Sequence, residues 1–157
     1  MINIRNTHPS EMGEVYRLRW DVLRHQGQPM DGTERDEHDD MSAHPETVHG
    51  VATDKGAVIA TGRIHRIAGD PYTWQIRYMA TLPEYRRKGI GTMVLSSMER
   101  ELLRGEYPER PTLLIANARI EAIEMYRRAG YISVGEQFDL VGIPHIKIAK
   151  RVNGGIW

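Results

Sequence analysis

Arg86, Arg87 and Lys88 stand immediately before Gly89 and Gly91, where Val94, Leu95, Met98 and Leu102 begin to recur at helical spacing. Three cations and two glycines at a helix start have a definite chemical meaning. The first turn of a helix carries backbone N–H groups without intrahelical acceptors and a partial positive charge, and glycines let an anion come close to them. The stretch therefore reads as an anion cradle, against the plain alternative of a solvated basic turn. Two stronger nucleotide motifs are excluded, because the spacing is neither Gly-x-x-x-x-Gly-Lys-Ser/Thr nor Gly-x-Gly-x-x-Gly.

Arg86-Arg87-Lys88-Gly89-Ile90-Gly91 resembles the Arg/Gln-x-x-Gly-x-Gly/Ala motif of the GNAT acetyltransferase superfamily, whose loop grips the pyrophosphate of acetyl-coenzyme A. Residues 78–83 before it and 91–95 after it resemble the family's central strand and helix. Asn117, Ala122, Tyr126 and Gly130 match its second block, in the right order. The resemblance implies an α/β fold: a mixed, mostly antiparallel GNAT-type sheet flanked by helices, in one domain over residues 1–157. It implies acetyl-coenzyme A as co-substrate, held by Met79, Ala80, Thr81, Arg86, Arg87, Lys88, Gly89, Ile90, Gly91, Thr92, Asn117 and Tyr126. It also implies a bulge in the strand at Met79-Ala80-Thr81, which splays that strand from its neighbour and frees backbone N–H groups for the pantetheine and the thioester oxygen. Tyr126 occupies the family's general-acid position; its plain alternative is packing against Ile123. Asn117 is the expected side-chain anchor for the cofactor arm, or a helix cap.

Acyl transfer to an amine also needs a proton taken away. An alkyl ammonium of pKa about 10.4 costs about 4.6 kcal/mol to deprotonate at pH 7, so a base or a water chain to one helps. Glu136 and His65 are the leading candidates, with Asp139 and His145 behind them; each is otherwise an ordinary hydrogen-bonded strand residue. The acceptor expected is an amine of a small molecule or a protein. The competing class is a domain of the same shape that binds an acyl-coenzyme A as a sensor or interaction module without turnover. A phosphate- or nucleotide-binding α/β domain is the third. The C-terminal Gly142-Ile143-Pro144-His145 resembles a branch of small bacterial GNAT proteins and leaves the acceptor open.

The elements that must hold these groups follow from periodicity. Residues 2–5 alternate as a short strand, and Met12, Val15, Leu18 and Val22 mark a helix behind Pro9. Residues 27–45 form a long polar connection. Its acidic run 33–40 is either solvated or turned toward a cationic amine, and His38, Asp39, Asp40, His44 and His49 lack the spacing of a metal site. Residues 48–53 and 57–64 read as a hairpin through the three-residue loop Asp54-Lys55-Gly56, and residues 72–82 as the next antiparallel strand. Strict alternation puts Tyr72, Trp74, Ile76, Tyr78, Ala80 and Leu82 on one face, with Arg63 and Arg77 on the other, where they can read an acceptor carboxylate. Residues 112–116 form a buried strand, 120–129 a helix ended by Gly130, and 131–141 with 143–152 a final strand pair.

The chain has 157 residues, the size of one domain with one core. With 21 basic and 21 acidic side chains it offers no electrostatic case for nucleic acid or anionic membrane. Without cysteine it has no disulfide, thiolate metal site or cysteine nucleophile. No apolar run approaches a membrane span, and the start resembles a folded strand, so the expectation is a soluble cytoplasmic protein, with a homodimer proposed from the paired final strands.

Overall fold

Seven strands join into one sheet in the computed structural model, which describes residues 1–153. The strands are β1 Ile2–Asn6, β2 Thr47–Asp54, β3 Ala57–Ile67, β4 Asp70–Thr81, β5 Leu113–Arg119, β6 Ile132–Leu140 and β7 Ile143–Arg151. Their spatial order is β1-β2-β3-β4-β5-β7-β6, and every pair is antiparallel except β4 with β5. Three helices complete the fold: α1 Met12–Leu23, α2 Ile90–Arg104 and α3 Ile123–Arg128. Among the described residues no helix is long and apolar enough to cross a membrane.

The helices divide the apolar residues between two faces of the sheet. Ile90, Val94, Leu95, Met98 and Leu102 of α2, with Tyr126 of α3, pack on Val48, Ala52, Ile64, Trp74, Ile76, Leu114, Ala116, Ala118 and Ile148. Val15 and Leu18 of α1 pack on Val51, Val58 and Ala80 on the other face. The recurrence of apolar residues every three or four positions along α2 is what lets one side of it be buried along its whole length.

Two expectations are corrected. Asp54 pairs with Ala57, so the hairpin loop is the two residues Lys55 and Gly56, with φ of 52° and 82°; positive φ at both positions is what a type I′ turn requires. The alternation in β4 is broken. Arg63 pairs with Arg77 and Thr61 with Ala80, so Gly62 alone faces both Tyr78 and Met79, a β-bulge centred one residue before the expected place. Tyr78 takes φ 57° there, and the phase of the strand flips: Trp74 and Ile76 face α2, whereas Ala80 faces α1. A Cβ on Gly62 would lie 2.3 Å from Met79 Sδ, so the bulge is built across from a position without a side chain.

Candidate active site

β4 and β5 begin side by side and then part. Thr73 pairs with Leu113, Trp74 with Leu114 and Gln75 with Ile115, and no later residue of one strand pairs with the other. Each keeps its outer neighbour, β4 holding β3 through Thr81 and β5 holding β7 through Arg119. The result is a V-shaped opening whose inner edges, residues 76–81 and 116–119, have no strand partner across it. Backbone N–H and C=O groups on such edges are free to bind an extended ligand.

The basic loop continues from the β4 end of this opening. Pro83–Tyr85 form one 3-10 turn, Leu82 N–H donates to the Ile59 carbonyl at 2.9 Å, and Arg86 Nε donates to the Thr81 carbonyl at 3.3 Å, which ties the loop to the end of β4. Gly89 caps α2 with φ 76°, a conformation that favours glycine. The first helical bond runs from Met93 N–H to the Gly89 carbonyl at 3.0 Å. The N–H groups of Ile90, Gly91 and Thr92 therefore have no acceptor within the helix. A Cβ on Gly91 would meet Met125 Sδ at 2.9 Å, so this glycine lets α2 and α3 approach each other. The loop thus presents free backbone donors and the helix dipole; Arg86 to Gly89 are exposed and Gly91 and Thr92 partly so, whereas the Ile90 side chain is buried in the core.

The remaining predicted residues fall on its walls. Met79, Ala80 and Thr81 form the β4 edge just past the bulge. Asn117 is exposed on β5, opposite Lys147, and supplies no helix cap. Since Ala116 and Ala118 pack toward α2 and α3, Asn117 and Arg119 lie on the α1 face; Arg119 donates to the Leu23 carbonyl at 3.1 Å. Tyr126 is buried at 5% exposure with its ring 5.7 Å from that of Tyr131. Burial pushes its phenol pKa up. Its hydroxyl has no hydrogen-bond partner among the described residues.

The base candidates are spread apart. His65 pairs with Gln75 at the root of the V, five residues back from Ala80 along β4. It stacks on His38 with ring centroids 4.1 Å apart, and Arg63 Nη2 lies 3.3 Å from its Nδ1. A guanidinium only donates, so that nitrogen's lone pair is occupied. Burial first, and then the charge of Arg63, lowers the His65 pKa to about 4. Glu136 is exposed on the edge strand β6, in the irregular stretch between Val134 and Phe138.

The acidic run does something the sequence did not reveal. Asp36 accepts Arg63 Nη1 at 2.6 Å and Nη2 at 2.9 Å, and Arg77 Nη1 at 2.9 Å. Asp39 accepts Arg19 through both nitrogens at 3.0 Å and lies 3.1 Å from Arg63. The Tyr78 ring, turned inward by the bulge, lies under Arg19, Arg63 and Arg77 at 4.3, 5.1 and 4.7 Å, and its hydroxyl donates to the Thr33 carbonyl. Arg63 and Arg77 do read a carboxylate, but it belongs to the chain's own loop. Burial alone would raise the Asp36 pKa, yet Arg63 and Arg77 hold it down at about 2. The network clamps residues 33–39 onto the sheet beside the bulge.

The sequence model described as "Acetyltransferase (GNAT) family" matches residues 12–131. This chain belongs to the GNAT acetyltransferase family. A GNAT-type sheet is also what solved structures show. Escherichia coli ElaA superposes with a TM-score of 0.72 at 21% identity, over 96% of this chain and 99% of that one. An aminoglycoside 6'-N-acetyltransferase complexed with coenzyme A superposes with a TM-score of 0.75 at 15% identity, over 98% and 99%. The Bacillus subtilis protein YyaT is 24% identical over 152 residues, 97% of each chain. In this GNAT protein the signal that could have located the bulge lay on the neighbouring strand, in Gly62, rather than in Tyr78 or Met79.

Proposed function

We propose that this protein is an N-acetyltransferase, moving the acetyl group of acetyl-coenzyme A to an amine of a small molecule or a protein, in the cytoplasm. The observation that carries the reading is the parting of β4 and β5 beyond Gln75 and Ile115, with the N–H-lined start of α2 at its mouth. The coenzyme A complex of the aminoglycoside enzyme, which shares the fold, supports the choice of cofactor. In this reading residues 86–92 bind the diphosphate, and each charge-assisted hydrogen bond there contributes about 1.5–3 kcal/mol. Met79, Ala80 and Thr81 offer β4 backbone groups to the pantetheine and the thioester oxygen, and Asn117 anchors the arm from β5. The cofactor supplies an activated acyl group and a thiol leaving group.

Tyr126 is the general acid. Its hydroxyl points at no protein acceptor, and the dry surroundings that raise its own pKa also raise the proton affinity of a thiolate beside it. Proton removal from the amine is assigned to the α1 face. Glu136 is exposed and suited to passing a proton to bulk water, whereas His65 takes part only through a chain that spares its occupied nitrogen.

Thermal shift with coenzyme A and with acetyl-coenzyme A tests the cofactor assignment: bound ligand raises Tm as its concentration passes Kd. No shift with either overturns the reading. Thiol release in the presence of an aminoglycoside, a polyamine and a peptide with a free N-terminus then tests turnover. Stabilisation without thiol release from any of them leaves a binding module in place of an enzyme.

A further inference from the structure

We propose that His145 is the general base of the acetyl transfer, taking its proton from the acceptor ammonium through Nε2. The proposal rests on the acetyltransferase reading and deepens it. His145 is the cross-strand partner of Arg119, the last residue of β5 and hence the tip of one wall of the V. Directly opposed residues share a face. Ile146 and Ile148 pack with the α2 core, so His145 lies with Arg119 and Asn117 on the α1 face. Adjacent strands are about 4.8 Å apart, so the ring lies one strand spacing beyond the β5 wall, on the α1 side from which an amine would approach the opening.

The ring is held for this task. Its Nδ1 is 2.7 Å from the Ile143 carbonyl oxygen, two residues back across the turn. A carbonyl only accepts, so Nδ1 carries the proton and Nε2 carries the lone pair. The Phe138 ring stacks on it at 6.0 Å and an interplanar angle of 27°. The residue is 6% exposed, yet Nε2 has no protein partner among the described residues and keeps contact with solvent. By comparison, His65 has its Nδ1 lone pair committed to Arg63, which leaves its Nε2 as a donor. The charged groups nearest His145 in the register are Arg119 on β5, paired with Glu121 at 3.8 Å, Lys147 two residues along β7, and on β6 Asp139, next to Phe138, with Glu136 in the irregular stretch before it.

The proton balance closes. His145 Nε2 takes one N–H proton of the ammonium and releases it to solvent. The freed nitrogen pair forms the N–C bond to the acyl carbon as the C–S bond breaks. Tyr126 gives its proton to the departing sulfur and regains one from the acylated nitrogen. Acid and base thus work from opposite faces of the sheet, Tyr126 from the α3 side and His145 from the α1 side.

The test combines kinetics with spectroscopy. His145→Gln is expected to lower kcat/KM for the amine at pH 7 by about 100-fold or more, to remove the acidic limb of the pH profile, and to leave coenzyme A stabilisation within 1 °C of the parent. Long-range 1H–15N spectra of the unmodified protein are expected to show the Nδ1–H tautomer for His145, with its ring shifts moving when acetyl-coenzyme A is added. An Nε2–H tautomer, ring shifts indifferent to the cofactor, or a variant with the parent's pH profile overturns the proposal while the acetyltransferase reading stands. Failure of the parent to bind coenzyme A overturns both.

Discussion

Arg19 and Asp39 face each other in a two-point ion pair, both N–O distances 3.0 Å, with side chains 0% and 2% exposed. The pair joins α1 to the loop ahead of β2, and Arg63 extends it to Asp36. Removing one member leaves a buried, unpaired charge, which costs about 3–5 kcal/mol, whereas replacing both members with apolar residues of similar size costs far less. Asp39→Ala is therefore expected to lose stability of that order in urea unfolding. The double variant Arg19→Met with Asp39→Leu is expected to recover most of the loss.

Acid sensitivity follows from two buried histidines. Burial lowers the pKa of both His49 and His65 to about 4, from an unfolded value near 6.5. Between those values the unfolded chain binds protons that the folded chain does not. Stability therefore falls as pH drops from about 6.5 toward 4. Asp36, held at about 2 by Arg63 and Arg77 against its burial, keeps its contribution above about pH 4 and loses it only as pH falls toward 2. Tm is expected to decline first between pH 6.5 and 4, and a His49→Gln, His65→Gln chain to flatten that first decline but not the one below pH 4. A flat Tm from pH 7 to 4 in the parent refutes the assignment.

The phosphate grip has its own signature. Replacing Arg86, Arg87 and Lys88 together by alanine is expected to weaken coenzyme A binding by about 10-fold or more per lost contact and to flatten the salt dependence of its Kd. Gly89→Ala acts differently. At φ 76° it strains the cap of α2, so it is expected to lower Tm as well as affinity. Calorimetric titration at two salt concentrations separates the two effects.

Much of this architecture was legible in the sequence, and the failures have physical causes. Local signals located the helices, the strands and the start of α2 at Gly89, because apolar period, glycine and charge act over a few residues. The family resemblance implied a bulge in β4, but its exact place escaped because alternation along β4 carries no sign of it, and the departure sits opposite Gly62 on the neighbouring strand, where Met79 packs. The fate of Asp36 escaped for a similar reason. Its partners Arg63 and Arg77 lie 27 and 41 residues away, and a count of local charge cannot distinguish a solvated carboxylate from one held by distant arginines.

The α1 face beyond β4 leaves an apolar row. Ile132, Val134, Phe138 and Leu140 are 66, 42, 37 and 44% exposed, and their register with Ala149, Lys147, His145 and Ile143 places them all on that side. Helix α1 packs chiefly on β3 and β4, whereas β6 is the far edge of the sheet. A second copy of the chain over the Ile132–Val134 end of the row, away from Phe138 and His145, is the proposed cover. Light scattering is expected to give twice the chain mass, and Ile132→Lys with Val134→Lys to give a monomer. A monomeric parent at tens of micromolar removes the dimer.

Tyr126 offers a separation of catalysis from stability. Its ring is part of the core beneath α2, so removing the ring would damage the fold. Its hydroxyl, however, bonds to no described residue, so Tyr126→Phe removes a proton donor and breaks no protein hydrogen bond. The variant is expected to keep its Tm within about 2 °C and its affinity for acetyl-coenzyme A within about twofold, while kcat falls by about 100-fold or more. A structural role would give the opposite pattern, a lower Tm with kcat preserved. A leaving group that needs no proton separates the two further. With a thioester whose thiol has a pKa well below that of coenzyme A, the Tyr126→Phe deficit is expected to shrink toward unity, because departure of the sulfur no longer depends on the phenol. A deficit that stays the same with such a donor assigns Tyr126 to positioning and returns proton delivery to solvent.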